Sequence, residues 1–425
     1  MISLLVMTLV GCSEAVLSTG PAIGCLEETS VCVAARADRA CDLDLRILDG
    51  DGSVVWNQVL SAVETSDFTL HWQVNGLEAS TRYDYVITDP DRAEVFLGAG
   101  AFMTQAPAGS RVPVTVAFAS CAREDDGSSA VWTRMQLRAI DALVLLGDTP
   151  YIDTTDLQQQ RKRYREFARV PSFAALVRGT PVYSTWDDHD FGANDTDGRL
   201  PGKENSRQAF AEHRPNRLPP DQAGIHDNFR VGDMEIFLLD ARWFARTEPS
   251  PFDPSKPTLL GAEQWAWLKA RLEASTATFK VIATGMIFND AVRPNKTDYW
   301  GHYPHERQAL FELIGELKLE GVVLVGGDVH RHRIVRHLES RDAVGYELVE
   351  FISSPVHDQI IAAANAPHPG LVLDIGTGNI YLEISCDTAG EEPVLTSRYV
   401  DAAGRVLDLR RWPLALMRPV TASAP

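Results

Sequence analysis

Three aspartates surround one histidine in the segment from Trp186 to Asp195, which reads Trp-Asp-Asp-His-Asp-Phe-Gly-Ala-Asn-Asp. Carboxylates this close together repel one another, so the folded chain needs a compensating positive charge. A bound cation is the simplest source of that charge, and a solvated acidic loop is the alternative. His189 lies among the carboxylates, where it could protonate a leaving group or serve as a further metal ligand. The segment therefore predicts metal-assisted chemistry.

Reactive side chains follow four other apolar segments. Cys121 follows the first, Asp148 and Tyr151 follow the second, and Asp240 follows the third. Asp328 and His330 follow the last. In open α/β sheets, ligands bind outside the carboxyl ends of the strands. If the apolar segments are buried strands, we expect these side chains and those around His189 to converge on one site.

The predicted ligands fall into two chemical groups. Carboxylates are hard oxygen donors that suit Ca²⁺, Mg²⁺ or Mn²⁺, and the chain offers Asp148, Asp187, Asp188 and Asp328. A thiolate and a phenolate prefer a highly charged transition metal such as Fe³⁺, and the second group is Cys121, Tyr151 and His330. The mixture predicts Fe³⁺ beside one or two divalent ions, bridged by Asp148. Taken singly, Tyr151 is equally typical of a buried core tyrosine and Cys121 of a structural cysteine.

Such a metal cluster has a defined chemistry. It activates a hydroxide at neutral pH and neutralises charge on a phosphoryl group. With His189 as the proton donor, the sequence predicts metal-dependent hydrolysis of phosphate esters. The alternative from a different class is a surface protein that binds a partner and carries a purely structural metal cluster.

The elements that must position these residues are predicted from hydrophobic periodicity. Residues 107–405 alternate buried strands with helices at 157–169, 261–274 and 305–317, which predicts a two-sheet α/β sandwich flanked by helices. Residues 40–106 show short alternating strands with turn signals, typical of a small antiparallel β-sandwich that resembles a fibronectin type III domain. We expect 13–39 to be a tether or a loosely held strand, and 406–425 a C-terminal tail or lid.

The first twelve residues predict export. Met1 to Gly11 are almost wholly apolar, as in a signal sequence, and Leu9-Val-Gly-Cys12 resembles a bacterial lipobox in which Cys12 carries lipid. We therefore expect a protein of the bacterial cell envelope, lipid-anchored or periplasmic, or a secreted one. An oxidising compartment favours two disulfides among Cys25, Cys32, Cys41 and Cys386, with at least one inside 25–41.

The charge balance excludes one class of partner. The chain has 425 residues, 58 acidic and 40 basic, and a net charge of -18, which argues against binding a nucleic-acid backbone. No apolar run reaches the roughly 18 residues of a membrane span. Three basic residues in the loop 196–223 predict either contacts to a phosphate tail or surface salt bridges: Lys203, Arg207 and Arg214.

From about Val112 to Ala389 the chain resembles the PhoD-like branch of the metallophosphoesterases. The motifs that carry the resemblance are Ala119-Ser-Cys121, Leu146-Gly-Asp-Thr-Pro-Tyr-Ile152, the Trp186 to Asp195 segment, Leu239-Asp-Ala-Arg242, Leu260-Gly-Ala-Glu-Gln-Trp265, Trp300-Gly-His-Tyr-Pro-His-Glu-Arg307 and Gly326-Gly-Asp-Val-His330.

The resemblance implies phosphomonoesterase or phosphodiesterase activity with an iron and calcium cluster, although Mn²⁺, Mg²⁺ or Zn²⁺ would also suit such a site. By position, the iron ligands would be Cys121, Asp148, Tyr151 and His330. The divalent ions would be held by Asp148, Asp328 and Asp187 or Asp188, the latter being nearer to His189. His189 would face the phosphate. A phospholipase D-like or nuclease-like phosphodiesterase is the alternative within this chemistry.

Overall fold

The computed structural model describes residues 16–291, 293 and 296–419. The predicted signal sequence and lipid-bearing Cys12 lie outside the described residues, so export stays a prediction.

The N-terminal domain is an antiparallel β-sandwich. Its strands are β1 (Leu17–Gly24), β2 (Ser30–Ala37), β3 (Cys41–Leu48), β4 (Val54–Ala62), β5 (Thr69–Asn75), β6 (Arg82–Asp89) and β7 (Arg92–Met103). They form a three-stranded sheet, β1-β2-β5, and a four-stranded sheet, β4-β3-β6-β7. Alternate side chains of both sheets meet in one core, in which Trp72 and Tyr85 are fully buried. The predicted sandwich is confirmed.

Of the two alternatives for 13–39, a tether or a loosely held strand, the described part shows strands, and they are firmly held. Residues 17–24 and 30–37 form β1 and β2, and all eight residues of β2 are buried. β2 pairs with β1 on one side and β5 on the other, so it is the central strand of its sheet. The small residues that suggested a loose segment fit there because side chains on both faces of β2 are buried.

The second domain alternates strands and helices before it returns to strands. The strands are β8 (Val114–Ala119), β9 (Ala142–Leu146), β10 (Val182–Thr185), β11 (Asp227–Val231), β12 (Met234–Leu238), β13 (Phe279–Ala283), β14 (Val322–Gly326), β15 (His332–His337), β16 (Leu348–Ile352), β17 (Leu371–Ile375), β18 (Ile380–Asp387), β19 (Val394–Asp401) and β20 (Val406–Pro413). The helices are α1 (Asp126–Leu137), α2 (Leu157–Ala168), α3 (Pro171–Val177), α4 (Asp188–Phe191), α5 (Lys203–His213), α6 (Gly261–Ala274), α7 (Pro304–Glu316) and α8 (Ser340–Val344).

Local sequence signals explain where the longer helices begin. The Asp156 side chain caps α2 by accepting a hydrogen bond from the Gln159 backbone N–H at 2.9 Å. Pro304 opens α7 at the first helical position, where its missing N–H costs nothing. The predicted helices at 157–169, 261–274 and 305–317 agree with α2, α6 and α7 to within one residue at each end. No helix in the described ranges has both the length and the apolar character that crossing a membrane requires.

Two mixed sheets pack face to face in this domain. One has the order β10-β9-β8-β18-β19-β20 and the other β11-β12-β13-β14-β16-β15-β17. Strands β8, β9 and β10 are parallel, and so are β12, β13, β14 and β16. Phe118 and Leu146 from the first sheet share a buried core with Ile236 and Leu324 from the second. The predicted two-sheet α/β sandwich is confirmed.

The C-terminal segment is not a tail or lid over its described part. Residues 406–413 form β20, which pairs with β19 at the edge of the first sheet. Leu414 and Met417 are buried, and the Met417 carbonyl accepts a hydrogen bond from the Gly321 backbone N–H at 2.9 Å. This segment therefore belongs to the second domain.

The predicted disulfides are absent among the described residues. Cys25, Cys32, Cys41, Cys121 and Cys386 are all free. Cys32 lies on β2 in the three-stranded sheet, Cys41 on β3 in the four-stranded sheet, and Cys386 on β18 in the other domain. The fold thus separates Cys32, Cys41 and Cys386 from one another. Cys25 follows Gly24, the β1 residue that pairs with Cys32, but its Sγ lies 3.2 Å from the Pro215 carbonyl oxygen.

An ionic cluster joins the two domains. Asp67 of the sandwich, whose side chain is 9% exposed, lies 3.0 Å from Arg36 of the same domain. It also lies 2.7 Å from Arg165 on α2 and 3.2 Å from His213 at the end of α5. These four side chains are called the junction cluster below.

Candidate metal centre

Parallel strands bring the predicted ligands to one edge of the sandwich. Cys121 follows β8 by two residues, Asp148 follows β9 by two, and Asp187 follows β10 by two. Asp328 follows β14 of the other sheet at the same spacing. The carboxyl ends of these strands meet across the core, so the strand-end prediction holds for both sheets.

The backbone is strained at these strand ends. Cys121, Asp148, Asp328 and His330 have φ of 53°, 53°, 64° and 50°, in the left-handed region that residues other than glycine seldom occupy. Such strain persists only where the surrounding structure holds it, and it concentrates at functional sites. The turns redirect each side chain out of the sheet and toward its neighbours.

The first ligand group surrounds Cys121. Its Sγ lies 3.4 Å from Asp148 Oδ2, and ligand atoms of Cys121, Asp148 and His330 all lie within 4.8 Å of one another. Tyr151 Oη lies 3.0 Å from His330 Nε2. The thiol, phenol, imidazole and carboxylate predicted to share one metal therefore occupy one place.

The remaining carboxylates extend this group into a continuous chain of ligands. Three further sets have ligand atoms within 4.8 Å of one another, and they share Asp148 or Asp188: Asp148, Asp188 and His189; Asp187, Asp188 and Asp328; and Asp188, Asp195 and Asp298. The side chains predicted as metal ligands or as the proton donor thus come together. Asp240, which follows β12 and was expected at the same site, belongs to none of these sets, and it accepts hydrogen bonds from the Trp186 side chain at 2.7 Å and the Ile225 backbone N–H at 3.0 Å instead. Asp298 is an addition that the sequence did not indicate, because it follows no strand and precedes only a short 3₁₀ turn.

The site carries more buried negative charge than its own cations neutralise. Burial, together with Asp188 and Asp187, raises the pKa of Asp148 well above its ordinary value. Burial raises the pKa of Asp328 to about 6, although Lys296 opposes the shift. Asp148 Oδ1 and Asp187 Oδ2 are buried and have no hydrogen-bond partner among the residues that the structure describes. Unpaired buried carboxylate oxygens are costly unless a cation binds them, so the residues present fit a metal centre.

Two cationic side chains of the protein neutralise part of this negative charge. Arg242 is fully buried, with Nη2 2.5 Å from Asp187 Oδ1 and 3.0 Å from Asp298 Oδ2. Lys296 Nζ lies 2.7 Å from Asp328 Oδ2 and 2.8 Å from Asp298 Oδ1. Arg242 therefore binds one oxygen of Asp187. Asp188, in contrast, belongs to three of the sets of neighbouring ligand atoms.

His189 is held by a carboxylate outside the ligand groups. Its Nδ1 lies 2.5 Å from Asp153 Oδ1, and its side chain is 22% exposed. A hydrogen bond at Nδ1 leaves Nε2 as the nitrogen that can meet a substrate. Asp190 has a structural role instead, because it accepts the Asp187 backbone N–H at 2.6 Å and closes the turn into α4.

His357 is a further residue that the sequence analysis missed. The Gln359 backbone N–H donates to His357 Nδ1 at 3.1 Å, so Nε2 carries the ring proton. That Nε2–H donates to Tyr151 Oη at 3.1 Å. His357 comes five residues after β16, which is parallel to β14, so the strand-end pattern would have found it.

Known proteins resemble this chain in sequence and in fold. A family model described as PhoD-like phosphatase matches residues 116–370, more than half of the chain. Alkaline phosphatase D of Bacillus subtilis (strain 168) is 28% identical over 316 residues, which cover 62% of this chain and 53% of that protein. The aligned region thus spans about half the length of this curated relative.

Two solved structures show the fold. The first, titled "Structure of PhoD", has a TM-score of 0.75 at 21% identity and covers 95% of this chain and 92% of that chain. Purple acid phosphatase PPD1 from yellow lupin (Lupinus luteus) seeds has a TM-score of 0.70 at 11% identity, covering 95% of this chain and 77% of that chain.

The family match and the geometry coincide. The matched residues begin within β8 and run past β16, so they include every ligand group described above. The fold is that of a metal-dependent phosphoesterase, and the chain belongs to the PhoD-like phosphatase family.

Proposed function

We propose that this protein hydrolyses phosphate esters in a metal-dependent reaction. The observation that carries the proposal is the chain of carboxylates through Asp148 and Asp188, which have ligand atoms within 4.8 Å of a thiol on one side and of His189 on another. An acidic site that binds cations can hold an anionic phosphoryl group only when the metals are present. Family membership and the phosphatase fold support the same reaction.

The metals would divide between the two ligand groups. Cys121, Tyr151, His330 and Asp148 suit Fe³⁺, whereas the carboxylates Asp148, Asp188, Asp298 and Asp328 suit Ca²⁺ or another divalent ion. When bound, the metals supply Lewis acidity toward the phosphoryl oxygens and lower the pKa of an attacking water.

The chain's own residues position the substrate and move a proton. His189 Nε2, with Nδ1 anchored on Asp153, protonates the oxygen of the departing alcohol. Tyr151 packs against the His189 ring at a centroid distance of 4.7 Å and limits its rotation. Arg242 holds Asp187 from within the core and so keeps the β10 turn in place.

The reaction can be tested with a matched pair of chromogenic esters. We expect the purified protein to hydrolyse p-nitrophenyl phosphate or its bis-ester, to stop after chelation, and to recover when metal is returned. Comparing the two rates assigns the monoesterase or the phosphodiesterase alternative. A protein that carries metal and hydrolyses neither ester would contradict the proposal.

A further inference from the structure

Arg123 lies beside the metal centre without an acidic partner. It follows Cys121 by two residues, and its Cζ lies 5.0 Å from the centroid of the Tyr151 ring. In the described part of the chain, no carboxylate forms an ion pair with its guanidinium. Its neighbour Glu124 is bound by Arg163 at 2.8 Å. Arg123 therefore presents an uncompensated positive charge.

The other cations nearby are already engaged. Arg242 and Lys296 bind the ligand carboxylates, and Arg331 is paired with Asp374. A half-buried arginine that is left unpaired among paired ones is a candidate for binding an external anion.

The loop basic residues expected to contact a phosphate tail are not available for that role. Lys203 Nζ donates to the Gly198 and Trp243 carbonyls at 2.8 and 2.9 Å. Arg207 donates to the Gly224 and Gln222 carbonyls. Arg214 is buried and donates to the Thr149 carbonyl. All three side chains already donate to backbone oxygens. A second anion would therefore need a different residue to bind it.

The position of Arg123 relative to the reaction centre is defined by Tyr151. The ring of Tyr151 contacts Arg123 and also the ring of His189. Arg123, Tyr151, His189 and His330 are partly exposed, whereas Cys121, Asp148 and Asp188 are buried, so the first four mark the open side of the site. The Tyr151 ring thus contacts both the Arg123 guanidinium and His189, the proposed proton donor. A small substrate with two charged groups can span the distance between them.

The backbone at Arg123 is tied to the ligand turns. Ala122 N–H donates to the Asp148 carbonyl at 3.1 Å, and Arg123 N–H donates to Ser128 Oγ at 3.2 Å. This fixes the point from which the side chain extends, so the guanidinium does not have to be ordered from a mobile loop when a ligand binds.

We propose that Arg123 binds a second anionic group, a carboxylate or phosphate, on the alcohol portion of the substrate. The preferred substrates are then phosphate esters whose leaving group is itself an anion. The inference rests on the proposed function for its catalytic consequence, but the binding it describes can be measured separately.

Two esters that differ in one charge test the inference. Phosphoglycolate carries a carboxylate where 2-hydroxyethyl phosphate carries a neutral hydroxyl. For the metal-loaded protein we expect kcat/KM to be at least about 10-fold higher for phosphoglycolate, since a charge-assisted hydrogen bond is among the stronger ones. Arg123→Ala should remove that preference with little effect on 2-hydroxyethyl phosphate, and Arg123→Lys should restore part of it.

The matched control is Arg178→Ala. Arg178 is an exposed arginine that precedes β10, at the opposite end of that strand from Asp187, and it forms no ion pair within the described ranges. It should leave the ratio of the two rates unchanged. An equal loss of rate for both esters in Arg123→Ala, or an unchanged ratio, would overturn the inference.

A binding measurement separates this inference from the proposed function. Calorimetric titration of the phosphonate analogues of both esters, whose C–P bond is not hydrolysed, into the metal-loaded protein and into Arg123→Ala reports affinity without turnover. Tighter binding of the phosphoglycolate analogue that disappears in Arg123→Ala supports the inference even if neither ester is hydrolysed, a result that would count against the proposed function alone. Equal affinity for both analogues in the unmodified protein would refute the inference even if both esters are hydrolysed.

Discussion

The metal centre and the junction cluster handle buried charge in opposite ways. In the junction cluster a single carboxylate, Asp67, meets Arg36, Arg165 and His213. In the metal centre several buried carboxylates share Arg242 and Lys296, and among the described residues one oxygen of Asp148 and one of Asp187 have no hydrogen-bond partner. One cluster has an excess of protein cations and the other a deficit.

The pKa shifts show the same contrast. Although burial opposes the shift, hydrogen bonds from His213, Arg36 and Arg165 hold the pKa of Asp67 well below its usual range. Burial and like charges instead raise the pKa of Asp148. A charge that the fold satisfies by itself is part of the architecture, whereas a charge that the fold leaves unsatisfied indicates a missing ligand. Asp67 therefore supports the fold, whereas Asp148 has the surroundings expected of a ligand-binding residue.

The largest effect is expected for His189→Ala. Removal of a general acid lowers kcat by roughly 10²–10⁴-fold. The metals should remain bound, because the other proposed metal ligands, including Asp148 and Asp188, are intact. The loss should be greater for an alkyl phosphate than for p-nitrophenyl phosphate, since nitrophenolate leaves without a proton. Rates measured on both esters, with metal content determined in parallel, check this. Loss of metal would make His189 a ligand instead.

Asp67→Asn tests the other side of the comparison. Breaking this buried cluster leaves Arg36 and Arg165 uncompensated, which should lower the free energy of unfolding by about 3–5 kcal/mol. Urea unfolding measures that loss, and kcat on p-nitrophenyl phosphate under native conditions should stay unchanged. A fall in kcat with unchanged stability would place Asp67 in the active machinery and break the contrast.

The stabilisation that Asp67 provides should depend on pH. The folded pKa of Asp67 is depressed, so its stabilisation is fully present above the unfolded value of about 3.9 and is lost as pH falls below it. The difference in unfolding free energy between the unmodified protein and Asp67→Asn should therefore be constant from pH 7 to 5 and shrink toward pH 3. A difference that grows as the pH falls would have the wrong sign.

A smaller effect is expected for Asp153→Asn. Asp153 orients His189 but is itself 54% exposed, so the loss in kcat should be about 10-fold, at the low end for a partner of a reactive histidine. Like His189→Ala, it should affect alkyl phosphates more than p-nitrophenyl phosphate. Asp221→Asn, which changes an exposed carboxylate with no ion pair in the described ranges, is the control. Equal losses for both esters would argue against a role through His189.

The sequence predicted which side chains meet at the candidate site because strand-end chemistry is local. Cys121, Asp148 and Asp328 each follow an apolar segment directly, and the parallel sheets bring such positions together. Asp298, Lys296 and Arg242 entered the site through pairings between distant parts of the chain, which no local pattern encodes. The assignment of Asp188, and not Asp187, to the divalent ion likewise depends on a distant contact, because Arg242 pairs with Asp187.

Elsewhere the predictions failed where residue type was a poor guide to environment. β2 was not recognised as a core strand because its alanines, valines and cysteine carry no alternation, yet a strand whose side chains are buried on both faces needs none. The expected disulfides assumed that cysteines near in sequence lie near in space, whereas Cys32 and Cys41 belong to different sheets.

Elemental analysis of the purified protein and of Asp148→Asn shows whether the buried carboxylates hold metal. The unpaired oxygen of Asp148 lies where two ligand groups meet, so we expect at least two metal ions per chain and the loss of more than one in the variant. Because the substitution also removes a buried like charge, the metal-free variant should unfold at a higher urea concentration than the metal-free parent. A parent protein without bound metal, or equal metal content in both proteins, would show that these carboxylates do not form a metal centre.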